Sequence, residues 1–236
     1  MSLNNETFTH KRDGNMKFIF VLIPIIVLLA FAIGYATYLS VYDDNSMNLD
    51  MNRQIGQVNT SLASPILGST SAPVTIIEFG DYQCSNCKKW FLNTKPDIVS
   101  NYIDTGKVNL VFVDIAFLGK DSIPAARATY CAEEQERYWD YHGFLYSNQL
   151  GIDDGWANQD SLKGYANNLG LNMELFVNCM DSGKYEKRIL FNTEESERNE
   201  VTGTPTFIIV GPEDQQERIL GPQPYLVFEK SLDSML

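Results

Sequence analysis

The chain has 236 residues, 44% of them apolar, and a formal net charge of −12. That is enough apolar material for one sizeable core beside a membrane segment, so a single globular domain is the expectation. The acidic balance argues against nucleic-acid binding, which needs basic patches to neutralise phosphates.

Residues 1–17 carry Lys11, Arg12 and Lys17 against Glu6 and Asp13, and residues 18–42 carry no charge. The uncharged run is long enough to cross a hydrocarbon core of roughly 30 Å as a helix. Asp43, Asp44 and Asp50 follow it, so the lysine and arginine bias places residues 1–17 in the cytoplasm as a tail, residues 18–42 in the membrane as a signal anchor, and the remainder outside the cell membrane. In that compartment the four cysteines can form disulfides. A cleaved signal peptide is the alternative, since Ala30-Phe31-Ala32 has the small-x-small form of a cleavage site. The apolar run continues for another ten residues, about a signal core's length again, which favours a retained anchor.

Residues 43–64 are polar without apolar periodicity and read as a flexible linker. Asn59-Thr60-Ser61 fits a glycosylation acceptor, a pattern common by chance. The folded part is expected at 65–236. Its first strand is Val74-Thr75-Ile76-Ile77-Glu78-Phe79, bounded by Pro73 and Gly80. After Asp81-Tyr82-Gln83 comes Cys84-Ser85-Asn86-Cys87 and a helix whose later part carries Ile98, Val99, Tyr102 and Ile103 to Gly106. A strand over 108–117 completes a β-α-β unit with a parallel pair. Residues of about 122–200 show no strand and form an all-helical insertion. Asp160 is the expected cap of one helix and Asn172 of the next, with Leu171 and Phe176 as a hydrophobic staple. Thr206-Phe207-Ile208-Ile209-Val210 and 217–220 form a hairpin, and Tyr225, Phe228, Leu232 and Met235 mark a closing helix.

Two cysteines three positions apart at a helix start lie on one face, within reach of a reversible disulfide. Unpaired N–H groups and the helix dipole stabilise a thiolate there, making Cys84 the attacking sulfur and Cys87 the resolving one. A bare C-x-x-C also resembles half a zinc site, but its place between strand and helix favours redox chemistry. Zinc needs two more ligands, and Cys131, Cys179 and His142 offer no second close pair, so no metal site is expected. Copper or zinc binding by Cys84 and Cys87, as an assembly module, is the alternative function. His142, in Trp139-Asp140-Tyr141-His142, reads as a packed helix residue rather than the base of a cysteine protease. Lys88 and Lys89 read as a solvated helix face. No nucleotide fingerprint or haem motif is present, and no cofactor is expected.

The stretch from Ile66 to Leu236 resembles the DsbA-like thiol-disulfide oxidoreductases of bacteria and archaea. The carriers are Ala72-Pro73-Val74-Thr75-Ile76-Ile77-Glu78-Phe79, Asp81-Tyr82-Gln83-Cys84-Ser85-Asn86-Cys87, Gly203-Thr204-Pro205-Thr206-Phe207 and Gly221-Pro222-Gln223-Pro224-Tyr225. The resemblance implies an α/β thioredoxin-like fold with the helical insertion. It implies Pro205 as a cis-proline facing the cysteines, with the Thr204 backbone beside it for an extended substrate. It also implies Glu78 as a buried acid relaying protons to Cys87, where the residues alone leave a solvent-facing strand end equally open. Cys131 and Cys179 are implied to form a structural disulfide, worth about 4 kcal/mol in the chain-entropy model. The implied partners are protein thiols or disulfides, with a membrane redox partner for recycling. Ser85 departs from the proline that many relatives carry after the first cysteine. Net oxidation is the expected direction, while the dipeptide between the sulfurs leaves isomerase and reductase directions open.

Overall fold

The structure is a computed structural model and describes residues 57–236. The expected tail 1–17, membrane span 18–42 and linker residues 43–56 lie outside the described residues. Among the described residues no helix is long and apolar enough to cross a membrane.

Four strands form one sheet in the order β2-β1-β3-β4: β1 (Val74–Gly80), β2 (Val108–Asp114), β3 (Thr206–Val210) and β4 (Gln216–Leu220). β1 runs parallel to β2 and antiparallel to β3, and β3 and β4 pair as an antiparallel hairpin. Every residue of β2 is buried, as is all of β1 but Thr75. That pattern follows from β-branched runs with helices on both faces. One face packs Val74, Ile76, Leu110, Phe207 and Ile209 against Trp90, Ile98, Phe228 and Leu232. The other packs Ile77, Phe79, Val111, Val113 and Ile208 with Ala63.

The packed chain begins before Pro65, the expected domain start. Ala63 and Ser64 are buried, and Leu67 exchanges backbone hydrogen bonds with Leu110 on β2. Ser64 does the same with Phe112, through its N–H and its Oγ. These bonds satisfy an otherwise open sheet edge, which is why a polar stretch without periodicity is nonetheless ordered.

The helix expected to run on to Gly106 is broken. α1 (Ser85–Asn93) stops at Thr94, α2 (Lys95–Ile98) follows, and a wide turn spans Val99–Ile103. Pro96 has no N–H to continue the ladder and its ring crowds the carbonyl four residues back, so the axis is interrupted there. The interruption turns Lys95 into the interior, where it is 7% exposed. β2 ends three residues short of Phe117, because the N–H groups of Phe117 and Leu118 turn to the Asp81 carboxylate, each at 3.0 Å.

The insertion comprises α3 (Ser122–Glu133), α4 (Tyr138–Asn148), α5 (Gln159–Asn168), α6 (Met173–Ser182) and α7 (Glu186–Arg198), around a core that includes Tyr130, Tyr141, Leu145, Leu162 and Phe176. Asn158, not Asp160, caps α5, accepting from the Ser161 N–H at 2.9 Å. The cap must precede the first turn to meet its free N–H groups, and Asp160 already lies inside it. Asn172 caps α6 by accepting from Leu175, Leu171 and Phe176 are both buried beside it, and α6 ends at left-handed Gly183. α8 (Tyr225–Met235) closes the chain with Phe228 and Leu232 inward.

Candidate active site

Cys84 is the residue that caps α1, its Sγ accepting from the Cys87 N–H at 3.4 Å. Both cysteines are free thiols in this structure; Cys87 is fully buried and Cys84 is 7% exposed. The thiol of Cys84 is lowered to about 6. The largest cause is the hydrogen bond with the Cys87 thiol, opposed by burial and aided by the Thr204 side chain and the N–H groups of Cys87 and Asn86. Cys87 is pushed well above its usual range by burial, then by the bond to Cys84 and the charges of Cys84 and Glu78. One sulfur is therefore the readier to ionise and the less deeply buried, while its neighbour holds its proton and is fully buried. That asymmetry suits attack by the first and resolution by the second.

The thiolate absorbance of the reduced protein should accordingly titrate with a midpoint of about 6 for one cysteine only. A single transition near the ordinary thiol value of about 8.5 would contradict the arrangement.

The loop ahead of Cys84 is fixed by polar contacts the sequence did not announce. The Asp81 carboxylate accepts from the Gln83, Phe117 and Leu118 N–H groups and the Ser122 hydroxyl. The Gln83 amide donates to Ser122 and Asp153, and its oxygen accepts from the Asp153 N–H. Gln149 donates to the carbonyls of Tyr82 and Cys84. Asp81 and Gln83 belong to the recognised motif, whereas Gln149 sits at the end of α4 with no local signal. Lys88 donates to the Gln149 carbonyl at 2.7 Å and Lys89 is exposed.

Thr204 and Pro205, joined by a cis peptide, stand opposite, and the Cys84 thiol donates to the Thr204 carbonyl at 3.3 Å. Glu78 lies on β1 opposite Phe112 and Phe207, 1% exposed, with neither carboxylate oxygen accepting a hydrogen bond. The solvent-facing alternative for Glu78 is excluded by that burial. Burial raises its carboxyl, Lys95 opposes and Cys84 adds. His142 is fully buried, 3.0 Å from the Tyr82 hydroxyl through Nδ1, and is held neutral by burial and the Lys95 charge. It is a core residue and makes no hydrogen bond to Cys84. Cys131 on α3 and Cys179 on α6 are joined by a disulfide, with a Cα–Cα distance of 5.7 Å, inside the helical core. Among the described residues no three His, Cys, Asp or Glu side chains gather as metal ligands.

The buried Lys95 was not legible as part of the site. A lysine reads as surface by default, and its only sequence signal is the proline that follows it.

A thioredoxin family model matches residues 60–219. Disulfide bond formation protein D of Bacillus subtilis is 30% identical over 148 residues, covering 61% of this chain and 67% of that protein. A probable disulfide bond formation protein D of Bacillus cereus is 29% identical over 149 residues, covering 61% and 69%. Among solved structures, oxidised BdbD from Bacillus subtilis superposes with a TM-score of 0.68 at 27% identity, covering 76% of this chain and 96% of that one. Wolbachia pipientis alpha-DsbA1 shares the fold, with a TM-score of 0.64 at 24% identity over 72% of this chain and 89% of that one. With its C-x-x-C at the start of α1 and helices inserted between β2 and β3, the chain belongs to the thioredoxin family as a DsbA-like thiol-disulfide oxidoreductase.

Proposed function

We propose that this protein oxidises dithiols in secreted or surface proteins, outside the cytoplasm, with Cys84 as nucleophilic centre, Cys87 as its partner sulfur and Glu78 as proton relay. A substrate thiolate attacks Sγ of Cys84 in the oxidised enzyme. The Cys84–Cys87 bond breaks, its electron pair leaves on Cys87, and Glu78 gives that sulfur a proton. A second substrate thiolate then attacks the substrate sulfur of the mixed disulfide, forming the substrate disulfide and releasing Cys84 as thiolate. The leaving thiolate is the state that the α1 terminus stabilises. The likeness to the disulfide bond formation proteins of Bacillus carries the direction, and the lowering of Cys84 to about 6 agrees with it, because a stabilised thiolate favours the reduced enzyme and hence oxidation of the substrate.

Thr204 and Pro205 form the substrate-binding edge in this reading. The Thr204 carbonyl, one hydrogen bond from Cys84, is placed to pair with an extended peptide as an added strand. The uncharged run 18–42 and the preceding Lys11, Arg12 and Lys17 support a single membrane anchor with residues 1–17 cytoplasmic. Residues 43–56, and in part up to 64, then act as a tether for the catalytic domain. A membrane-held redox partner would restore the disulfide after each turnover.

Equilibration of the Cys84–Cys87 pair with glutathione buffers tests the direction. A reduction potential less negative than about −200 mV is expected, in the range of protein oxidants and isomerases. A value at or below the roughly −270 mV of a cytosolic reductant would overturn the proposed direction.

A further inference from the structure

Gln149 caps the C-terminal end of α4, where the chain leaves the helix, and is 3% exposed. Its Nε2 group uses both protons on the active-site loop, donating to the Tyr82 carbonyl and, at 2.9 Å, to the Cys84 carbonyl. One turn back, the Tyr146 hydroxyl donates to the Asp81 carbonyl at 3.3 Å. The end of α4 therefore holds three of the four carbonyls from Asp81 to Cys84. The backbone carbonyl of Gln149 accepts in turn from Nζ of Lys88 on α1 at 2.7 Å, so residue 149 grips the start of α1 from two sides. The Cys84 carbonyl also accepts the first helical bond of α1, from the Lys88 N–H at 3.1 Å. Cys84 itself stands in the extended cap conformation, with φ −78° and ψ 115°, its Sγ accepting from the Cys87 N–H. The ψ angle that aims this carbonyl at Gln149 also sets where the sulfur stands relative to the first N–H groups of the helix.

We propose that Gln149 is a positioning residue of the exchange reaction: by holding the Tyr82 and Cys84 carbonyls it keeps Cys84 in the cap geometry, and so makes the helical insertion a determinant of the redox poise of the Cys84–Cys87 pair. The proposal rests on the reading of Cys84 as nucleophile. Without the carboxamide, the buried Tyr82 carbonyl loses this donor and the Cys84 carbonyl keeps the helical bond alone. A buried carbonyl short of a partner turns the backbone to find one. The ψ angle of Cys84 then relaxes, the Cys87 N–H moves off the sulfur, and the thiolate of the reduced protein loses stabilisation. The carboxamide carries no net charge. The titratable groups around the pair, Glu78 on β1, Asp81 in the loop, Lys88 on α1, Lys95 on α2 and Tyr146 on α4, stay in place when it is removed. A shift at Cys84 therefore reports geometry rather than a lost charge.

Two measurements on the full chain in detergent test this: the pH dependence of Cys84 alkylation by iodoacetamide, mapped by peptide mass, and the equilibrium of the Cys84–Cys87 pair with glutathione buffers. Q149M keeps the length of the side chain and removes its donors. Its Cys84 midpoint should rise by about one unit from the parent value of about 6. The equilibrium at pH 7 should move about fivefold toward the oxidised protein, which is about 20 mV. Q149L carries the same expectation should Q149M fail to fold. Y141F removes a buried bond of the same helix, from Tyr141 to the Leu162 carbonyl at 2.7 Å, that does not reach the loop, and it should keep both parent values. Parent-like values in Q149M or Q149L overturn the role of Gln149, as does a shift in Y141F as large as that in Q149M. Labelling of Cys87 in place of Cys84 at low pH in the parent overturns instead the reading of Cys84 as nucleophile.

Discussion

Replacing Cys84 by serine should abolish dithiol oxidation, by at least about a thousandfold, because it removes the atom at which every bond exchange occurs. A hydroxyl at the cap of α1 cannot form the disulfide, and the helix terminus lowers a serine far too little to ionise it at neutral pH. Cys87→Ser has a different signature. Cys84 keeps the backbone N–H groups of the α1 N-terminus, so it still captures substrate disulfides, but the mixed disulfide accumulates for want of a resolving sulfur. Turnover of a reduced dithiol peptide, read beside non-reducing gels of the two variants, separates these outcomes. Residual oxidation by Cys84→Ser close to the parent rate would refute the assignment of the nucleophile.

The second large effect concerns stability. Removing the Cys131–Cys179 bond by C131A/C179A should lower stability by about 4 kcal/mol, the chain-entropy figure for closing a segment with this sequence separation of 48. For a domain of this size that is a fall in Tm of about 10 °C in a calorimetric scan. Both sulfurs lie inside the helical block, 1% and 4% exposed, so reductant reaches them only on unfolding. Mild reduction should therefore open Cys84–Cys87 and leave this bond closed. A double variant melting with the parent would mean that the bond constrains nothing the packing of α3 on α6 does not already hold.

The strands, the hairpin and the closing helix were legible because their apolar periods and their glycine and proline boundaries are local signals. Asn172 was legible as a cap for the same reason, while the choice of Asp160 over Asn158 failed by a shift of two residues. The broken helix after Asn93 was a misreading of another sort. Ile98, Val99, Tyr102 and Ile103 keep an apolar face through the break, so periodicity outweighed Pro96 even though the missing N–H governs the backbone. The early start of the packed domain was hidden because Ser64 and Leu67 are ordered by hydrogen bonds to β2, far away in sequence.

What the sequence by itself determined was the chemistry: two sulfurs three positions apart at a strand-to-helix junction, followed at a distance by Thr204-Pro205 and preceded by an acid in an apolar strand. Those are local patterns, and local patterns survive without coordinates. Only the tertiary structure decided which groups surround the sulfurs. Gln149 grips the carbonyl of Cys84 from the end of α4, Asp81 gathers two loops, and Lys95 turns inward over Phe91 and Trp139. Each joins segments distant in the chain or reverses the surface preference of its residue type. Burial and charge at such a site are properties of the packed interior, and no single stretch of sequence carries them.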